Sequence, residues 1–267
     1  MIHLGRIYGA QLKIGFQSNL QYRVATGFAL LGFIIEPVVY LVVWKTIAEA
    51  QGGSIAGYSA DDFVAYYIAW TLVRAMNIAL TPYVWDGRIQ RGRINDHLTQ
   101  PFHLFHRDLA GFAGWKPFWI GWWIPLAAIL VAIFQPQIRP SGWQMAAFFL
   151  AVWMAFILRF IILYLLGMVA FWTTRASALF EIVVTAELLL SGRLVPLDLM
   201  PQWVQNLALW LPFQWTFQGP IEIVIGRVDG AGTLAVFAYQ ILWTAGLGAL
   251  LALVWKRAIR RYSAVGV

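Results

Sequence analysis

The chain has 267 residues, of which 61% are hydrophobic and only 12% charged, and its mean hydropathy is +0.69. Soluble domains carry about 25% charged residues, so a water-soluble enzyme is excluded and a membrane-embedded protein is indicated. The net charge of +7 is no nucleic-acid footprint, because the basic residues gather in alternate loops, and the lack of cysteine excludes disulfide and thiol chemistry.

Residues 1–23 are too polar to span a bilayer, and they lack the compact apolar core of a cleaved leader. Leu4, Tyr8, Leu12, Phe16 and Leu20 recur every four residues, with Arg6, Lys13 and Arg23 off that stripe. This predicts an amphipathic helix lying in the membrane interface. Crossing takes about 20 apolar residues. Within residues 24–262, six segments supply or approach that length: Val24–Trp44, Asp61–Trp85, Pro117–Phe134, Trp143–Trp172, Ala178–Leu190 and Thr233–Trp255. Residues 51–57 read as a short turn between the first two. The fifth segment stops early, because Gly192, Pro196 and Pro201 break the chain from Ser191 to Pro201. Gly192 reads as the helix C-cap. Gln202–Trp215 then reads as a short amphipathic helix, with Trp203, Leu207 and Trp210 on one face and Pro212 at its end. Residues 256–267 form a basic tail. The expected fold is an all-α polytopic membrane protein with six transmembrane helices.

Six crossings put both termini on one side. That side would hold Arg6, Lys13, Arg23, Arg175 and the basic tail, together with Arg88, Arg91, Arg93, Arg107 and Lys116 of a central loop, residues 86–116. The opposite loops hold only Arg139, Arg193 and Arg227, beside Asp61, Asp62, Asp198 and Asp229. The positive-inside rule therefore places both termini and the central loop in the cytosol.

Three constellations stand out. In the central loop, Ile89, Ile94, Leu98, Phe102, Phe105, Leu109 and Phe112 recur at three- to five-residue intervals around Pro101. Such a stripe on a cytosolic loop asks for a partner, either a protein or lipid headgroups. The same loop holds three of the four histidines, His97, His103 and His106. With no HExxH and no cysteine, no metal site is expected there. Within the spans, Glu36, Arg74, Arg159 and Glu187 are ionisable residues of a kind that pairs internally or lines a polar path. Arg159 is expected to pair with Glu36 or Glu187. No GxxxxGK[ST] occurs, so this chain has no phosphate-cradling loop of its own.

Two stretches carry a family resemblance. One is Gly92-Arg-Ile-Asn-Asp-His-Leu-Thr-Gln-Pro101, just after the second span. The other is Leu190-Ser-Gly-Arg-Leu-Val-Pro-Leu-Asp-Leu-Met-Pro-Gln-Trp203, followed by Leu211-Pro-Phe213 and Pro220 to Gly226. With the six-span layout and the amphipathic N-terminus, the whole chain resembles the permease subunits of bacterial type-2 ATP-binding-cassette (ABC) exporters. The resemblance implies a re-entrant extracellular helical hairpin after the fifth span, at 195–213, marked by Gly192, Pro196, Pro201, Trp203 and Pro212. It also implies an ATPase-docking segment at about 95–110, with Asn95, Leu98, Pro101, Phe102, Phe105 and Arg107 at the contact. The implied partners are cytosolic ABC ATPase subunits and a second permease, identical or different, in the bacterial inner membrane. ATP and Mg would be bound by the ATPase, and no cofactor or metal by this chain. The expected function is thus a transport permease without catalytic residues of its own. A secondary transporter or channel, and a polytopic membrane enzyme acting on lipids, are the alternatives. The first usually shows paired broken helices, whereas a single strongly broken segment is evident here.

Overall fold

A computed structural model of the chain describes residues 4–21, 23–79, 81–95, 102–173 and 176–261. It is almost entirely helical. Helix α1 (Leu4–Gln21) precedes α2 (Arg23–Ala50), which runs on through Pro37. A small antiparallel ribbon, β1 (Ser54–Ile55) and β2 (Tyr58–Ser59), turns the chain back. Ala56 and Gly57 at its tip both have positive φ, the geometry of a tight hairpin turn. The expected plain turn is therefore a hairpin, and it sets Tyr58 into the core.

Ser59 caps α3 (Ala60–Met76) through a reciprocal box with Asp62. The second expected span, Asp61–Trp85, is not one helix. It breaks after Met76, and α4 (Thr81–Gln90) restarts with Pro82 in its first turn, where a proline costs no hydrogen bond. Helix α5 (Leu104–Ala113) leads through Gly114 and Trp115 into α6 (Lys116–Phe134). Helix α7 (Gly142–Met168), extended by a 3-10 turn to Phe171, opens on a Ser141–Gln144 capping box. Helix α8 (Ala176–Leu190) has 15 residues. It reaches only about 22 Å, short of a hydrocarbon core of about 30 Å. A 3-10 turn (Leu197–Leu199), α9 (Gln202–Leu209), a second 3-10 turn (Phe213–Thr216) and α10 (Gln218–Ile225) follow. The last helix, α11, covers Gly230–Arg261.

Three stretches among the described residues are long and apolar enough to cross a membrane unaided: Leu104–Phe134, Gly142–Phe171 and Gly230–Arg260. Helix α7 is the axis of the fold, packed by α3, α4, α8, α10 and α11. Its basic-loop half shares a core with α4, α5 and α11, centred on Trp85, Phe156, Phe160 and Tyr164. The opposite half of the molecule is organised on α3, whose Tyr66, Tyr67 and Trp70 are fully buried.

Two expectations about amphipathic stripes are corrected by this packing. On α1, Tyr8 and Leu12 of the stripe are half-buried against the protein, whereas Phe16 is exposed and Gly15 is buried in its place. The cause is a close approach to α5: a Cβ on Gly114 would stand 2.7 Å from the Gln11 carbonyl oxygen, and one on Gly15 2.9 Å from the Gly114 backbone. Two glycines let the backbones touch, and that contact sets the rotation of the helix. The stripe of the central loop also finds its partner inside the chain. Ile94 is buried, and Ile89, Phe105, Leu109 and Phe112 pack on the α7 core.

Candidate functional site

The break between α3 and α4 leaves backbone carbonyls without helical partners in the middle of the domain. Buried cations take them. Lys116, fully buried at the start of α6, donates through Nζ to the Ile78 oxygen at 2.8 Å and the Ala75 oxygen at 3.5 Å, with the Phe156 ring 4.6 Å away. Arg159 on α7 donates through Nη1 to the Asn77 oxygen. Cations at a helix C-terminus also complement its dipole. Asn77 itself reaches across, its Nδ2 donating to the Thr216 oxygen at 2.7 Å.

Arg159 then grips Glu187 on α8 with two parallel bonds, Nε to Oε1 at 2.6 Å and Nη2 to Oε2 at 2.8 Å. Arg74 on α3 pairs at 2.6 Å with Glu36 on α2, the residue just before Pro37, and lies over the Trp70 ring. Of the two partners expected for Arg159, it therefore takes Glu187, because Glu36 lies on the α2 side and is held by Arg74. A third arginine joins them. Arg193, which the charge census assigned to a loop, follows the end of α8 and sits over the Phe217 ring. Arg74, Arg159 and Arg193 face a single cavity of about 210 Å3.

The segment after α8 is held by an unusual set of donors. Gly192 (φ +79°) ends the helix in the left-handed region, and a Cβ there would meet Gln218 and the Tyr66 hydroxyl within 2.8 Å. Three consecutive carbonyls beyond it accept from α3. Tyr66 Oη donates to Gly192 O at 2.6 Å, Trp70 Nε1 to Arg193 O at 2.8 Å, and Tyr67 Oη to Leu194 O at 3.0 Å. Irregular backbone at this depth needs internal partners, and α3 supplies them. Gln218 finishes the anchor. Its backbone donates to Ser191 O at 3.1 Å, and its Oε1 accepts from Leu197 N at 2.8 Å. Pro196 and Pro201 start the next two helical turns, and Pro212 precedes the last. Trp203, Leu207 and Trp210 share the outward face of α9, as expected, with Trp210 81% exposed.

Beyond this anchor, two carboxylates share their donors. Gln218 Nε2 donates to Asp198 at 3.1 Å and to Glu222 at 2.6 Å. Tyr58 Oη donates to Asp198 at 2.9 Å and reaches Glu222 at 3.3 Å. Arg227 lies 3.6 Å over the Tyr58 ring and donates to the Gly57 oxygen at 2.8 Å. Burial pushes the Glu222 carboxyl above its ordinary range, and the charge of Asp198 adds to the shift.

At the opposite end, the central segment is clamped to the axis helix. Arg88 on α4 and Asp108 on α5 form a buried two-bond pair at 2.6 and 2.7 Å. The Trp85 ring fills the notch left by Gly167 on α7, a space any Cβ would occupy. Phe105, expected at a docking surface, packs instead on Phe160 and Tyr164. Arg107 is half-buried in a cavity shared with Arg88, Asp108 and Gln11. Phe102 is half-buried and Asn95 exposed, whereas Leu98 and Pro101 lie outside the described residues. His103 caps α5, its Nδ1 accepting from Phe105 N at 3.1 Å. Burial lowers its pKa, with His106 adding to the effect, a shift that favours the neutral ring able to accept at this cap.

The broken α3–α4 pair, the short α8 whose following segment is anchored by α3, and the clamped central loop make one arrangement. The family model described as ABC-2 family transporter protein matches residues 34–266, nearly the whole chain. The chain belongs to the ABC-2 transporter family. It is therefore a multi-pass membrane transport component of the type-2 ABC permease class. No curated protein sequence matches it closely. What sequence reasoning missed in this permease is the role of Lys116 and Arg193. Both were counted as loop charges. No sequence signal placed them at the α3–α4 break, because Lys116 reaches its carbonyl partners from about 40 positions away.

Proposed function

We propose that this permease is the membrane subunit of an ATP-driven exporter in the bacterial inner membrane, energised by separate cytosolic ATPase subunits. Its six crossings would be α2, α3 with α4, α5 running into α6, α7, α8 and α11, with both termini cytosolic. Residues 195–213 would form the extracellular hairpin and 86–116 the coupling loop. ATP and Mg would be held by the partner, since the sequence has no P-loop. A second permease, identical or different, would complete the pathway.

The observation that carries this reading is the clamp on the central segment. Family membership supplies the need for an energy source, and the Arg88–Asp108 pair with Trp85 in the Gly167 notch gives a stiff route from loop to axis helix. Movement of a docked loop would pass to α7 as a rigid-body shift. With Phe105, Leu109 and Phe112 committed to the core, Asn95, Phe102 and Arg107 are the described residues of the docking segment left to meet an ATPase.

The test is purification of the tagged permease with its neighbouring ATPase, followed by ATP hydrolysis and transport in vesicles. The ATPase is expected to co-purify. Leu98→Asp or Phe102→Asp should leave the permease folded but abolish its stimulation of ATP hydrolysis. Asp108→Asn should keep the ATPase bound while uncoupling hydrolysis from transport. Wild-type coupling in all three variants would remove the central loop from the mechanism.

A further inference from the structure

The cavity at the α3–α4 break is chemically one-sided. Three guanidinium groups, from Arg74, Arg159 and Arg193, face two carboxylates, those of Glu36 and Glu187. Arg74 and Arg159 are matched one to one. Arg193 has no carboxylate within 4 Å and makes no side-chain hydrogen bond among the described residues, and its Nε is buried. Yet it lies within electrostatic range of both matched pairs. Lys116, fully buried nearby, has only carbonyl oxygens and the Phe156 ring as partners and offers no carboxylate to balance Arg193. Among the described residues, the region thus holds more positive than negative groups at membrane depth. An unmatched buried charge is costly unless an opposite charge joins it.

The other walls are mostly apolar. Phe180 and Val184 of α8, Ile78 and Ala79 of the break and Phe217 line the cavity, with the Asn77 amide as the uncharged polar group beside them. At about 210 Å3 the cavity is smaller than a drug-sized site, about 300–1,000 Å3, and suits a polar head with the first carbons of its chain rather than a whole large molecule. The cavity is not sealed, since the Arg74–Glu36 side keeps 21% and 33% of those side chains accessible. A polar group entering there meets arginines, and a hydrocarbon chain attached to it meets phenylalanine and valine. The other apolar hollows, such as that lined by Trp119, Trp122 and Trp123, offer no charge.

We propose that this cavity receives the oxyanion head of an anionic amphiphile, a carboxylate, sulfate or phosphate on an apolar body, with Arg193 as its principal counter-ion. This rests on the transport reading and adds the substrate class to it. Guanidinium groups present paired donors that match the oxygens of such heads. The Arg159–Glu187 and Arg74–Glu36 pairs fix the frame, and Arg193 is the group with donors to offer.

Binding can be tested on the permease alone, so that its failure is separable from failure of the ATPase reading. The purified chain in a neutral detergent is titrated calorimetrically with octyl phosphate, and with inorganic phosphate and octyltrimethylammonium as competitors. Saturable octyl phosphate binding is expected. Arg193→Gln should weaken it at least tenfold, and Arg193→Lys should restore part of it. Val184→Trp, which fills the cavity and leaves every charge in place, should abolish binding. It carries the test if the arginine variants do not fold. Unchanged affinity in Val184→Trp or in folded Arg193→Gln, or equal displacement by octyltrimethylammonium, overturns the proposal. Equal displacement by inorganic phosphate overturns the amphiphile assignment in favour of a free anion.

Discussion

Single residues in this protein act through what they leave unsatisfied. Arg159 does two things at once: it neutralises Glu187 and it takes a carbonyl at the α3 break. Arg159→Ala leaves a carboxylate buried without its cation, a change that costs about 3–5 kcal/mol. Replacing both residues with leucine removes the stranded charge and should recover most of that loss. It should not recover the part due to the Asn77 carbonyl, about 1–2 kcal/mol for a buried acceptor left unpaired. Thermal unfolding in detergent is the measurement. If the single and double variants unfold alike, the pair contributes no such asymmetry and Glu187 is neutral in the fold. Gly192 is constrained in a different way, since its positive φ and the nearby Tyr66 hydroxyl exclude any side chain.

Among the elements, the segment from α8 to α10 owes its place to donors on α3 rather than to its own regularity. The anchor ends in a titratable group. Glu222 has a pKa above its ordinary 4.5, chiefly through burial. Between the two values the folded chain holds a proton that the unfolded chain has released. Stability is therefore greatest below the ordinary value and falls as pH rises through the raised one. Melting temperatures taken from acid to neutral pH should show this decline, and Glu222→Gln should flatten it. A wild-type profile parallel to that of Glu222→Gln would mean that the carboxyl titrates normally. The donors themselves were not legible from periodicity. Tyr66, Tyr67 and Trp70 read as three more aromatics in an apolar helix, and only contact with residues more than 120 positions away gives them a role.

For the whole molecule, the parts set by local chemistry were legible in the sequence. The helix-stopping Ser191–Gly192 and the long apolar runs of α7 and α11 lie where composition placed them. Rotations and partners were not, because they depend on close approaches such as Gly15 against Gly114. The same limit hid the fate of the central stripe, which the chain itself covers. Of the exposed faces, that of α8 combines apolar and polar groups. Along α8, Ile182, Thr185 and Leu189 are exposed on one side, with Glu181 beside them bonded to Tyr83. A carboxylate and a hydroxyl on a lipid-facing stripe would be costly, so this face fits a second permease better than hydrocarbon. The chain contains no cysteine, so Ile182→Cys introduces a single reporter. If the second permease is another copy, oxidation of membranes should yield a disulfide-linked dimer. If it is a different chain, the cross-link should form only when that chain carries its own cysteine at the matching position. Helices packed through small or polar positions approach closely enough for such a bond. A control at Ile133, exposed on α6 away from this face, should give none. Absence of a cross-link in both arrangements, or equal cross-linking at Ile133, would take α8 out of the interface.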